Sequence, residues 1–256
     1  MKLTGKKTKE TSENFANQRR LILGKNTPFH IQEAYRTLQT NIRFSLTGDG
    51  CKKICLTSSL ASEGKSTTCL NLAICMAESG SRVLLIDADM RRPSLGRLLI
   101  EKTSPGLSNV LAGLCTVDAA IRSEVRPRLD VLFSGELPPN PLELLGNKRL
   151  DSILEGLSSV YDYIIIDTPP ANIVSDACMV ASHADGVLYL VHQGVSEKDC
   201  VEKGVKQLEM ANAKILGFVM NGVISEKKKK YAGYGKSRYG YYYRNRYVYD
   251  SVDQGK

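Results

Sequence analysis

Apolar residues recur along this chain in two rhythms. Ile31, Ala34, Leu38, Ile42 and Leu46 fall three or four apart, the spacing of one helix face. Gly48-Asp49-Gly50 stops that helix. A short apolar strand follows at 54–56, then a polar cluster over 58–64. A helix is predicted over 66–79, with Gly80 as its C-terminal stop. The alternation then repeats. Residues 83–86 read as a strand ending in Asp87-Ala88-Asp89, and 129–133 as one ending in Ser134-Gly135. Pro138-Pro139-Asn140-Pro141 breaks the chain, and a helical stretch runs to about Ser159. Residues 163–166 form a strand closed by Asp167-Thr168-Pro169-Pro170. Strands at 187–191 and 215–220 flank a helix over 196–211. Short, unbroken apolar strands alternating with helices belong to sheets buried on both faces. The predicted fold class is α/β: a doubly wound, mostly parallel sheet with helices on both faces. Such sheets bind ligands at the carboxyl ends of their strands, where the polar clusters sit.

The pattern fails at both ends of the chain. The 256 residues, 42% of them apolar, suit one large core with short extensions. The sequence predicts a flexible basic arm over 1–28, a central domain over 29–225 and a disordered basic tail over 226–256. Eight of the twelve tyrosines fall in that tail, at Tyr231, Tyr234, Tyr239, Tyr241, Tyr242, Tyr243, Tyr247 and Tyr249. The net charge of +8 is uneven: residues 226–249 carry +7, residues 1–30 carry +5 and the remainder −4. On charge alone, basic ends suit nucleic acid, anionic lipid, an acidic partner or simple solubility. No apolar run approaches the roughly 18–20 residues that span a bilayer, and the polar N-terminus lacks a signal-peptide core. A cytoplasmic protein is expected. The seven cysteines form no CxxC pair and lie largely in apolar patterns, which predicts reduced, buried thiols.

Ser59-Leu60-Ala61-Ser62-Glu63-Gly64-Lys65-Ser66-Thr67 follows a predicted strand and opens a predicted helix. It matches a Walker A loop except that Ser59 replaces the first glycine. A helix N-terminus presents unpaired N–H groups and partial positive charge, and successive loop amides cradle phosphate oxygens. Ser59, Glu63, Gly64, Lys65, Ser66 and Thr67 are the expected nucleotide-binding residues. Lys65 is placed on the β- and γ-phosphates and the Ser66 hydroxyl on Mg²⁺. Two carboxylate clusters at strand ends support this reading. Asp87 and Asp89, two apart in extended backbone, share a face, and Mg²⁺ favours hard oxygen ligands. Asp167 ends a Walker B-like strand. Ser66, Asp87, Asp89 and Asp167 are the expected metal residues. Arg91 suits either a phosphate or a neighbouring carboxylate.

These motifs resemble the MinD/ParA-like deviant P-loop ATPases, and within them the stand-alone cytoplasmic bacterial tyrosine kinases of capsule or exopolysaccharide synthesis. Leu60 stands where partitioning and cell-division ATPases carry a lysine, and the terminal tyrosine cluster is a mark of the kinases. The resemblance implies a P-loop kinase domain over 29–225 that uses ATP and Mg²⁺. It implies catalytic roles for Lys65, Asp87, Asp89 and Asp167, with Asp87 orienting or deprotonating the acceptor, and a base-reading position at Asn221. The tail tyrosines become the phosphoacceptors, modified between neighbouring copies. At about −1.5 to −2 charges per phosphate, four or five modifications reverse the tail's sign. A Glu-x-x-Arg-x-x-Arg element linked to ring-like self-association is matched by Glu33 and Arg36, while Gln39 replaces the second arginine. The resemblance further implies a separate membrane adaptor that recruits the chain to the inner face of the membrane, a cognate tyrosine phosphatase and other protein substrates. Nucleic acid is not an expected partner. A MinD/ParA-like ATPase switch without kinase activity is the alternative reading of the same motifs.

Overall fold

The computed structural model describes residues 18–223. Helix α1 (Phe29–Ser45) precedes β1 (Lys52–Ser58), α2 (Lys65–Glu78) and β2 (Val83–Asp87). Three short helices follow: α3 (Leu95–Leu99), α4 (Leu107–Leu111) and α5 (Val117–Ala120). Then come β3 (Ile121–Arg126), β4 (Leu129–Leu132), α6 (Pro141–Leu145), α7 (Arg149–Ser158) and β5 (Tyr163–Asp167). The series ends with α8 (Asp176–Ala181), β6 (Gly186–His192), α9 (Lys198–Met210) and β7 (Ile215–Asn221). The seven strands form one sheet in the order β3-β4-β2-β5-β1-β6-β7. All neighbouring pairs are parallel except β3 with β4.

Successive strand residues face opposite sides of the sheet, and both sides are buried. Ile54, Leu56, Leu85, Ile165 and Leu188 pack beneath α1, α2 and α3. Cys55, Leu84, Ile86, Ile164, Ile166 and Val187 pack beneath α4 to α9. The predicted doubly wound sheet is therefore present. The expected helix before Ser159 is divided into α6 and α7. The antiparallel edge strand β3, absent from the prediction, carries Arg122, Ser123, Glu124 and Arg126 among only two aliphatics. Its pairing is irregular between Arg122 and Arg126, and Glu124 has φ 52°.

The basic arm expected over 1–28 does not extend to residue 28 as a free segment. Leu23 is only 4% exposed and sits in the core with α2. Buried Asn71 of α2 accepts from the Leu23 N–H at 2.8 Å and donates to the Leu21 carbonyl at 2.9 Å. Residues 1–17 and the tail lie outside the described residues. All seven cysteines are free thiols; Cys55, Cys69 and Cys75 are buried, and the other four are half-buried. Among the described residues no helix is long and apolar enough to cross a membrane.

Candidate active site

The phosphate loop joins β1 to α2. Gly64 caps the helix with φ 95°, a left-handed backbone that glycine adopts without steric cost. A Cβ there would stand 2.0 Å from Asn221 Nδ2, so the position has no room for a side chain. Ser62 takes a second left-handed conformation, at φ 66°. Ser59, in place of the first glycine, is buried, and its hydroxyl shares a 2.9 Å hydrogen bond with the Tyr189 hydroxyl on β6. A polar partner thus accommodates the substitution.

Glu63 holds the loop shut. Its buried carboxylate accepts from the Leu60 N–H at 2.7 Å and from the Ser196 hydroxyl. Ser196 is fixed in turn by accepting the His192 N–H at 2.7 Å. The Glu63 carbonyl accepts from Asn221 Nδ2 at 3.0 Å. Asn221, expected to read a base, here spends its amide on the loop. Lys65 begins α2, is 7% exposed and donates to Ser58 Oγ at 3.3 Å. Ser66 and Thr67 follow, half-buried, in the first turn.

Asp87 and Asp167 are register partners on the adjoining strands β2 and β5, and both are fully buried. Asp87 Oδ1 accepts from the Asp89 N–H at 3.2 Å, and Oδ2 from the Leu95 N–H at 3.3 Å. Burial, then the charges of Asp167 and Asp89, push the Asp87 carboxyl well above the usual carboxylate range. Burial pushes Asp167 up to about 6, against the pull of the Ser66 hydroxyl and the Lys65 ammonium. Asp167 Oδ1 accepts from the Cys69 thiol at 3.5 Å, while Oδ2 is buried without a partner. Asp89 is half-buried, and its Oδ1 accepts the N–H groups of Arg91 and Arg92 at 3.2 and 2.9 Å.

Arg91, expected to meet either a phosphate or a neighbouring carboxylate, pairs with a carboxylate. Its Nε and Nη2 donate to the two oxygens of buried Asp176, at 2.8 and 3.0 Å. The pair ties the segment after β2 to the first turn of α8, and Asp176 raises the guanidinium pKa further. Asp176, Ser196, Tyr189 and Cys69 were not foreseen as site residues. Of these, only Asp176 left a signal, as an acid in the first turn of a short helix beyond Asp167.

The residues expected at the phosphate and metal sites thus gather at the ends of β1, β2, β5 and β7, with Arg91 held by Asp176. Among the described residues no three His, Cys, Asp or Glu side chains converge on a metal position. A cavity of about 370 Å³ lies apart, between the segment after Pro170 and α9, lined by uncharged residues including Ile173, Cys178 and Met210. Glu33 and Arg36 form a half-exposed ion pair on α1. Gln39 turns inward, its Oε1 accepting from the Ser79 hydroxyl at 3.0 Å. The tail tyrosines lie outside the described residues.

This strand order, with a phosphate loop after β1 and paired buried acids beside it, defines a nucleotide-binding P-loop protein. Residues 51–215 match the family model described as "AAA domain". The tyrosine-protein kinase YwqD of Bacillus subtilis is 38% identical over 203 residues, covering 79% of this chain and 86% of the relative. The chimerical protein CapA2B2 superposes with a TM-score of 0.73 at 36% identity, covering 78% of this chain and 87% of that one. The septum site-determining protein MinD of Pyrococcus horikoshii, solved with Mg-ADP, shares the fold: TM-score 0.58 at 24% identity, covering 66% and 70% of the two chains. The chain belongs to the bacterial tyrosine kinases, within the MinD/ParA-like P-loop family, and is a protein-tyrosine kinase.

Proposed function

We propose that this kinase transfers the γ-phosphoryl group of Mg²⁺-ATP to the tyrosines of its own C-terminal segment, between neighbouring copies. The observation that carries the reading is the pair Asp87 and Asp167. They lie abreast and buried beside the phosphate loop, both with raised pKa values and one with an unpartnered oxygen. An unpaired buried carboxylate oxygen is costly and suits a cation or its bound water. Ser66, Asp89 and Asp167 would hold Mg²⁺. When bound, Mg²⁺ neutralises charge on the phosphates.

The chain's own groups do the rest. Loop amides and Lys65 hold the phosphates and stabilise charge on the migrating group. Glu63, Ser196 and Asn221 keep those amides convergent. Asp87 accepts or orients the tyrosine proton. A tyrosine hydroxyl ionises near pH 10, so a carboxylate of raised pKa is the better-matched base. Tail tyrosines on an adjoining copy offer several acceptors at high effective concentration. Glu33 and Arg36 are available on the exposed face of α1 for ring-like assembly. Accumulated phosphate charge then loosens the ring and regulates capsular or extracellular polysaccharide synthesis and export. A membrane adaptor on a separate chain would recruit and activate the kinase at the inner face of the membrane. A tyrosine phosphatase would reset it. The sequence match to the named kinase over most of the chain favours this over an ATPase switch.

The test is phosphotyrosine after incubation with Mg²⁺-ATP, with and without the adaptor's cytoplasmic segment. Lys65→Met and a chain ending at Ser225 serve as controls. Signal that vanishes in both controls is expected. ATP hydrolysis that survives loss of the tail, with no phosphotyrosine in any condition, would establish the switch instead.

A further inference from the structure

Cys69 lies four residues, about one turn, beyond Lys65 on α2 and is fully buried. Asp167 shares its sheet face with Ile165, which packs in the same layer as Cys69. The side chains meet with Sγ 3.5 Å from Asp167 Oδ1; the Ser66 hydroxyl also acts on this carboxylate, yet Oδ2 keeps no hydrogen bond of good geometry. A second thiol, Cys55, lies behind the strand end and engages Thr168 Oγ1 at 3.8 Å, so it does not compete for Asp167.

We propose that Cys69 is a positioning residue for the metal: its thiol holds one oxygen of Asp167 and leaves the other for Mg²⁺ or a water bound to it. The inference rests on the metal role of Asp167 given above. A thiol suits the task because it is a weak donor. It fixes the carboxylate's orientation yet withdraws little of its charge, whereas a hydroxyl or amide would satisfy the oxygen more fully. Partners that orient a metal ligand commonly contribute ten- to hundredfold in metal affinity, and a weak donor belongs at the low end.

The experiment is equilibrium binding of a fluorescent ADP analogue to the full chain, titrated with Mg²⁺ and repeated without it. Cys69→Ala is expected to raise the half-saturating Mg²⁺ concentration about tenfold, while Mg²⁺-free nucleotide affinity stays within about twofold. Cys69→Ser, which keeps a donor, is expected to lie nearer the parent than Cys69→Ala and remains informative if the alanine variant folds poorly. Unchanged Mg²⁺ dependence in Cys69→Ala would overturn the proposal. So would an equal loss of affinity with and without Mg²⁺, the mark of a packing role alone. Asp167→Asn separates the two levels. If it shifts the Mg²⁺ curve and Cys69→Ala does not, only the role of Cys69 fails. If it leaves the curve unmoved, the metal role of Asp167 fails.

Discussion

Replacing Asp167 with asparagine should make the ligand-free protein more stable while removing its activity. The carboxyl is fully buried, and its pKa is raised from 3.8 to about 6. The fold therefore penalises the ionised form. A raised carboxyl pKa means that the native state binds more protons than the unfolded one, so stability falls as pH rises between about 4 and 6. At about 1.4 kcal/mol per pKa unit, the penalty reaches about 3 kcal/mol above pH 6 and shrinks to about 1 kcal/mol at pH 4.5. Asparagine mimics the neutral acid and escapes the penalty. For a domain of this size, that corresponds to a rise in melting temperature of about 6–12 °C at pH 7.5 and about 2–4 °C at pH 4.5. The measurement is thermal unfolding of both proteins at the two pH values without nucleotide or Mg²⁺. Phosphoryl transfer by the variant should fall by about a hundredfold or more. A variant no more stable than the parent at pH 7.5, or stabilised equally at both pH values, would refute the reasoning.

Further outcomes follow from the same geometry. Gly64→Ala must place a methyl group against Asn221 at φ 95°. It should abolish nucleotide binding in a fluorescence titration, and a second change, Asn221→Ala, should not restore it because the backbone strain remains. Arg91→Ala leaves Asp176 buried and unpaired, at a cost of about 2–4 kcal/mol in urea unfolding. That is less than for a fully buried pair, because Arg91 is 39% exposed. An unchanged midpoint would contradict the role given to this pair. Since Asp167 must be ionised to hold a cation, calorimetric Mg²⁺-nucleotide affinity should weaken below about pH 6, approaching tenfold per unit. A flat profile from pH 7 to pH 5 would disprove it.

The sheet was legible because β1, β2, β5 and β6 are short apolar runs, with both faces buried. Their polar closures marked the site, since a parallel sheet gathers its carboxyl ends on one side. The strand β3 was not legible, because an edge strand with four polar residues in six shows neither rhythm. Local motifs gave Gly64, Lys65, Asp87 and Asp167 their neighbourhood. They could not show that Arg91 is taken by Asp176, 85 residues further on. The partners Ser196 and Tyr189 were hidden for the same reason: hydrogen bonds between distant segments leave no spacing in the sequence. Cys69 looked like an ordinary core thiol on an apolar helix. Only the orphaned oxygen of Asp167 distinguishes it.

The most direct test of the central claim separates the enzyme from its substrate. Full-length Lys65→Met supplies tail tyrosines but no working phosphate site. The chain ending at Ser225, with Lys65 intact, supplies the site but no tail. Mixed with Mg²⁺-ATP and the adaptor's cytoplasmic segment, the pair should place phosphotyrosine on the tail of the Lys65→Met chain, while neither protein alone does so. No phosphotyrosine in the mixture, while the wild-type chain labels its tail at a rate independent of its concentration, would contradict transfer between copies.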